Sequence, residues 1–272
     1  MGHKPKPASK KALRKAPSSK GVKHINSAVL FLEPELYDKI YELLKSSGFK
    51  ERDVQHALWS LYNLDTYLTL YSTGKLLIQG KNVEELIKQC DLIPKKPQVG
   101  MDESGKGEVF GPLVACAALI SPENFIQVLK VLPTDSKRLT QDQIFKKASV
   151  LKSIVEHHCK VLEPIELLKE RDKLGNLNLV LDNLYRALAQ NFPPNVRIII
   201  DAYSPKSPIE GATYTPNAER FLPVAVASIL ARELYLTWLY QRGLKPVNSP
   251  KLAKEMLQKD PSTSAFIKTF FL

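Results

Sequence analysis

Cysteine is scarce in this 272-residue chain: the three residues, Cys90, Cys116 and Cys159, stand far apart. So low and dispersed a count excludes a disulfide-framed secreted domain and fits reduced thiols in a cytoplasmic protein. Cys90 shares a helical stripe with Val83 and Leu86, and Cys116 sits among Val114, Ala115 and Ala117, so both read as buried filler. Long apolar runs are missing too. None approaches the roughly 18 residues of a membrane span, and the N-terminus lacks the apolar core of a secretory signal, so no membrane partner is expected. Acid is absent from residues 1–25, which carry eight basic residues (Lys4, Lys6, Lys10, Lys11, Arg14, Lys15, Lys20 and Lys23). They account for most of the net charge of +11. A basic stretch with Pro and Ser cannot bury a core, so residues 1–26 are expected to form a disordered tail. Such a tail adds salt-sensitive attraction to a polyanion, or merely keeps the chain soluble; both readings stand.

What is present divides at Pro94-Lys-Lys-Pro97, a stiff polar stretch that reads as a linker between residues 27–93 and 98–272. Before it, Ala28–Leu32 is strand-like, and Leu36, Ile40, Leu43 and Leu44 form a helical stripe that ends at Gly48. A second helix is expected around Val54–Leu61. Thr66–Tyr71 and Lys75–Gln79 flank Ser72-Thr-Gly74 as a hairpin, and Val83–Cys90 is a short amphipathic helix. After the linker, Gln98–Glu103 and Phe110–Ile120 read as strands around a glycine-rich turn, with a third near His158–Ile165. Leu177–Gln190 is a helix, Val196–Ile200 a buried strand, and Pro223 opens a helix to about Arg242. The pattern predicts an α/β domain with a mixed central sheet flanked by helices, preceded by a small α+β domain.

Asp102 and Glu103 end the first strand of the larger domain, and Asp201 ends another. If those strands are neighbours, carboxylates meet at one sheet edge, where each raises the pKa of the next. A divalent cation removes that penalty, and hard oxygen ligands suit Mg²⁺ or Mn²⁺. Two such ions could activate a water and stabilise the leaving oxygen of a phosphodiester. Without further context, Asp102 and Asp201 could equally cap turns or helices.

The context is a set of motifs. Asp102-Glu-Ser-Gly-Lys-Gly-Glu108 with Phe110-Gly-Pro-Leu113 resembles the signature of the type 2/type 3 ribonuclease H family, and its Gly-Lys-Gly form resembles the type 3 enzymes, ribonuclease HIII. In the expected order follow Asp135-Ser-Lys-Arg-Leu139, Asn176-Leu-Asn178, Ile198-Ile-Ile-Asp201, Ala218-Glu219 and Val224–Glu233. Tyr71–Gly80 is similar to a hairpin in the TATA-binding-protein-like N-terminal domain of that type. The resemblance covers residues 27–272. It implies a ribonuclease H-like fold whose metal site is Asp102, Glu103, Asp201 and Glu233, acting with two Mg²⁺ or Mn²⁺ ions on RNA–DNA hybrids. It also implies a monomer that cuts the RNA strand to leave 5′-phosphate and 3′-hydroxyl ends. The backbone of Gly105-Lys106-Gly107 would sense the 2′-hydroxyl, which separates RNA from DNA. Lys106 would attract phosphate, while Ser104 would either touch nucleic acid or set the turn. Tyr71 and Lys75, with Gln79 beside them, would grip the duplex without reading bases.

Gly100–Lys106 also fits the start of a phosphate-binding P-loop, but Gly107 stands where Ser or Thr should ligate Mg²⁺. The remaining alternative is a hybrid-binding protein without turnover. The presence of all four acids argues against it, and two departures from the family keep it open: Phe270 stands where His is usual, and Leu244–Pro250 replaces a Gly-Ala-containing loop.

Overall fold

The computed structural model describes residues 25–131 and 139–272. The basic segment up to residue 24, and Asp135–Arg138 of the motif ending at Leu139, lie outside them.

The first sheet is antiparallel throughout. Its strands β1 (Ser27–Phe31), β2 (Lys50–Glu51), β3 (Ala57–Asn63), β4 (Thr66–Tyr71) and β5 (Lys75–Gly80) are ordered β1-β5-β4-β3-β2. Helices α1 (Tyr37–Ser46) and α2 (Val83–Gln89) complete the unit. Alternation sorts its residues: Ala28, Leu30, Leu61, Leu68, Leu70, Leu76 and Ile78 are buried in one apolar cluster with Ile40, Leu44, Val83 and Ile87 of the helices. The helix expected at Val54–Leu61 is corrected to a strand. Ala57–Asn63 pairs with Tyr71–Thr66 across a bulge between Ala57 and Trp59. Its Trp and Tyr suit a pleated surface, and the spacing of Val54, Leu58 and Leu61 fits a helix equally well until a pairing strand decides.

The second sheet is mixed, ordered β10-β9-β6-β7-β8. Strands β6 (Gln98–Ser104), β7 (Leu113–Ile120) and β8 (Glu156–Leu162) pair antiparallel, whereas β9 (Arg197–Asp201) and β10 (Thr213–Thr215) run parallel to β6 and to each other. Helices α3 (Phe125–Val131), α4 (Gln141–Ile154), α5 (Pro164–Leu174), α6 (Leu177–Ala189), α7 (Leu222–Gln241) and α8 (Pro250–Lys259) surround it. On β7, Val114, Cys116 and Ala118 join the cluster of α7, while Leu113, Ala115 and Ala117 pack with Val180, Leu181 and Tyr185 of α6. Both faces are covered, which is why β7 reads as one apolar run. For the same reason α7 is apolar nearly all round, enough to cross a membrane by length and composition, yet its apolar side chains are mostly buried here.

Sheet and helices thus agree with the expected architecture of a mixed α/β domain after a small α+β unit. Ion pairs join the two: Arg197 Nη2 lies 3.1 Å from Glu33, and Lys130 Nζ lies 2.9 Å from Glu84. The expectation of reduced thiols is corrected at two positions. Cys116 and Cys159 face each other on β7 and β8, with Cα atoms 4.1 Å apart, and form a disulfide. Their separation of 43 residues hides a proximity that only strand pairing creates. Cys90 is free and buried, and burial pushes its thiol pKa up to about 11.

Candidate active site

Asp102 and Glu103 occupy successive positions near the end of β6, so their side chains leave opposite faces of the sheet. Asp102 is on the α7 side, hydrogen-bonded to Ser228, and its Oδ1 accepts from the Glu103 amide at 2.8 Å. Glu103 is on the α6 side, where the hydroxyl of fully buried Tyr185 donates to Oε2 at 2.5 Å. Pairing of β6 with parallel β9 runs through Met101 and Ile200, which puts Asp201 level with Asp102 on the next strand. Asp201 Oδ1 accepts from the Ala218 amide at 2.7 Å.

Burial and mutual repulsion load this edge with electrostatic strain. Desolvation, then the charge of Glu103, with a further contribution from Asp201, pushes the Asp102 pKa up to about 8 despite the Ser228 and backbone hydrogen bonds. Glu103 is also raised, chiefly by burial, against the opposing pull of Tyr185 and Lys106. Lys106 turns inward: its Nζ lies 3.9 Å from Glu103 Oε1 and 4.4 Å from the Tyr203 ring centroid. Tyr203 is anchored in turn by a 2.5 Å hydrogen bond to Asp182.

Glu233 does not join this group and is corrected accordingly. Its carboxylate meets Lys152 of α4 at 2.6 Å. Five residues on from Ser228, it projects roughly 140° around α7 from the side chain that reaches Asp102. Glu219, quoted with Ala218 among the motifs but given no role there, follows Ala218, whose amide holds Asp201, on the short turn Ala218–Arg220. Among the described residues no three acid, His or Cys side chains stand at mutual metal-ligating distances. Asp102, Glu103 and Asp201 each turn a carboxylate oxygen onto a protein donor instead.

The glycines of the adjoining turn differ in what they need. Gly105 has φ +90°, and a Cβ there would lie 2.1 Å from the Pro112 carbonyl oxygen, so the fold itself demands glycine. Gly107 has nothing within 4 Å of where a Cβ would be. Its glycine leaves a backbone open to a ligand. Ser104 is buried, with its hydroxyl 3.5 Å from Arg232 Nη1, which also pairs with Glu108 at 2.8 Å. That favours the turn-setting role.

Tyr71 and Lys75 lie apart from the acids, at the ends of β4 and β5 that flank the hairpin turn. They share a face with Tyr62, Tyr67 and Gln79, pointing away from the side buried by α1 and α2. Tyr62 and Tyr67 stack at 6.3 Å, and the Arg52 guanidinium lies 5.1 Å from the Tyr67 ring centroid. Tyr62 and Tyr67 were not singled out from sequence, because Tyr62 follows the segment Val54–Leu61 expected to be helical and its pairing with Tyr67 appears only in the strand register.

Comparison with known proteins follows the same lines. The family model for Ribonuclease HII matches residues 99–246. Ribonuclease HIII of Aquifex aeolicus is 36% identical over 252 residues, covering 89% of this chain and 98% of that protein. Ribonuclease HIII of Chlamydia felis is 29% identical over 241 residues, covering 77% and 79%. The crystal structure of Aquifex aeolicus RNase H3 superposes with a TM-score of 0.59, covering 90% of this chain and all (100%) of that one at 36% identity. That of Bst-RNase HIII in complex with Mn²⁺ gives 0.62 at 22% identity, over 90% and 95%, and speaks for the fold alone.

Proposed function

Since the chain belongs to the ribonuclease HII family and, within it, to the ribonuclease HIII group, we propose that it hydrolyses the RNA strand of RNA–DNA hybrids with divalent-ion assistance, leaving 5′-phosphate and 3′-hydroxyl ends. What carries this reading is the convergence of Asp102, Glu103 and Asp201 at the ends of adjacent strands, with the Asp102 pKa raised to about 8. Carboxylates gathered at such cost become favourable neighbours once they share a cation. An all-oxygen donor set fits Mg²⁺ or Mn²⁺. Asp102, Glu103 and Asp201 would hold the ions, with Glu219 in place of Glu233 as the fourth acid. When bound, the ions supply activation of the attacking water and charge stabilisation at the leaving oxygen.

The chain's own residues do the positioning. Ser228, Tyr185 and the Ala218 amide hold one oxygen each of Asp102, Glu103 and Asp201. Burial and the neighbouring Glu103 charge raise the Tyr185 pKa, so its hydroxyl stays a donor. The open backbone at Gly107 supports close approach of a sugar edge, and the Tyr62, Tyr67, Tyr71 and Lys75 face of the small sheet supports a sequence-blind grip on the duplex. Monomeric action in the cytoplasm belongs to the same proposal, all the acids coming from one chain.

The test is cleavage of labelled RNA–DNA hybrid, duplex DNA and duplex RNA with Mg²⁺, Mn²⁺ or EDTA. Cutting of the hybrid alone, abolished by EDTA, is expected; tight hybrid binding with no cutting under either ion would instead establish the binding-protein alternative. Divalent ion should also raise the melting temperature, and by more at pH 8.5 than at pH 6, because the ion displaces a proton from Asp102. An equal rise at both pH values would count against Asp102 as a ligand.

Gly107→Ala separates fold from binding. With open space around the added methyl, the variant should melt like the parent, yet hybrid affinity should fall about tenfold as the methyl intrudes on the contact. Unchanged affinity in a fluorescence-anisotropy titration would remove Gly107 from the interface.

A further inference from the structure

The turn between β6 and β7 has little structure of its own. Within it the Glu108 amide donates to the Gly105 carbonyl at 3.3 Å. Three of its residues, Gly105, Gly107 and Gly111, are glycines, which surrender the most backbone entropy when ordered. Yet the chain just beyond Gly107 is tied down at almost every polar backbone atom, and the ties come from far along the sequence.

Asn248 supplies two of them. Its Nδ2 donates to the Gly107 carbonyl at 3.1 Å, and its Oδ1 accepts from the Val109 amide at 3.1 Å. One side-chain amide therefore spans Glu108, as a neighbouring strand would. Lys268 supplies three more. Its Nζ donates to the carbonyls of Glu108 at 2.8 Å and Phe110 at 3.2 Å, and its own amide donates to the Val109 carbonyl at 2.8 Å. Phe266 adds its carbonyl as acceptor for the Gly111 amide at 2.9 Å, and Phe110 and Ile267 form a β-bridge. Lys268 is completely buried, so its ammonium has no role as a surface charge for phosphate. Buried lysines need partners, and here the partners are the carbonyls of this one segment.

We propose that Asn248 and Lys268 are positioning residues that hold the Gly105–Lys106–Gly107 backbone in the shape that distinguishes an RNA–DNA hybrid from duplex DNA. The inference rests on the proposed function, in which that backbone meets the hybrid. Asn248 lies within Leu244–Pro250, which replaces a family loop, and Lys268 within Phe266–Phe270, a segment that resembles the family's except at Phe270; both residues fall beyond residue 246, where the family-model match ends. The chain beyond that match thus carries a fastening of the substrate turn from behind. Neither residue touches the acids in this arrangement, so the effect should appear in recognition and spare the chemical step.

Asn248 is exposed, so Asn248→Ala leaves the core intact. Hybrid and DNA duplexes of one sequence are titrated against parent and variant in EDTA, followed by kcat and KM with Mg²⁺ and by thermal melts. Asn248→Ala should weaken hybrid binding about tenfold through two lost hydrogen bonds and leave duplex-DNA binding within about twofold. KM should rise with kcat nearly unchanged, and the melting temperature should fall by no more than about 5 °C. Lys268→Met should show the same loss of discrimination, and Lys268→Arg should restore part of it; if Lys268→Met fails to fold, Asn248→Ala decides. Hybrid affinity unchanged in Asn248→Ala, or an equal loss for both duplexes, overturns the inference while leaving the proposed function in place. A parent protein that shows no hybrid preference overturns both.

Discussion

Asp102→Asn should reduce the single-turnover cleavage rate of an RNA–DNA hybrid about 10³-fold or more, since losing an ion-holding carboxylate forfeits several kcal/mol of transition-state stabilisation. Binding to the hybrid in EDTA should be retained or improved, because a negative charge facing the phosphates is removed. Stability supplies a second readout. In the metal-free protein the Asp102 pKa is raised to about 8, chiefly by burial, so the folded state holds a proton that the unfolded chain has already lost. The stability this group contributes is present at low pH and declines as pH rises toward 8. Asparagine does not titrate. The variant should therefore be more stable than the parent in EDTA, with a gap that widens from about pH 5 to pH 8 in urea unfolding. A rate within tenfold of the parent, or a gap that narrows with rising pH, would remove Asp102 from the centre of the site. Activity gained at the expense of stability is the common pattern at catalytic positions.

Gly100→Ala should have the largest effect on folding. Gly100 lies in the central strand β6, and a Cβ there would stand 2.1 Å from Pro223 C and 2.1 Å from Val224 N, at the start of α7. Both obstacles are backbone, so no rotamer change relieves the clash. Either β6 or the start of α7 must shift, at a cost of about 3 kcal/mol, the upper end of what overpacking usually incurs. For a chain of this size that lowers the melting temperature by about 5 °C. Because α7 also carries Ser228, which holds Asp102, cleavage by the surviving folded fraction should fall as well. Stability within about 0.5 kcal/mol of the parent, the scatter of an innocuous surface change, would show that α7 does not press on β6 as described.

Much of this was legible in the linear order. Apolar runs ending in Asp102-Glu103 and in Asp201 declared strands whose ends carry acids, since strands buried on both faces leave an uninterrupted signal. The β4–β5 hairpin and the helices α2, α6 and α7 were equally plain from alternation, turn residues and apolar stripes. Misreadings arose where one local pattern serves two structures. Ala57–Asn63 has spacing that suits a helix until β4 offers a partner. Glu233 sits in a motif-like run on α7, but its direction is set by the helix pitch and by Lys152 on α4, neither of which motif order records.

Sequence alone therefore determined the class of fold, the two acid-tipped strands and the glycine turn, because each follows from periodicity and residue chemistry within a few neighbours. Tertiary structure alone decided which acids share an edge, that Cys116 meets Cys159, that Lys106 turns inward, and that Asn248 and Lys268 brace a turn about 140 and 160 residues earlier. Those relations depend on strand register and helix phase, and no short window of sequence contains both partners.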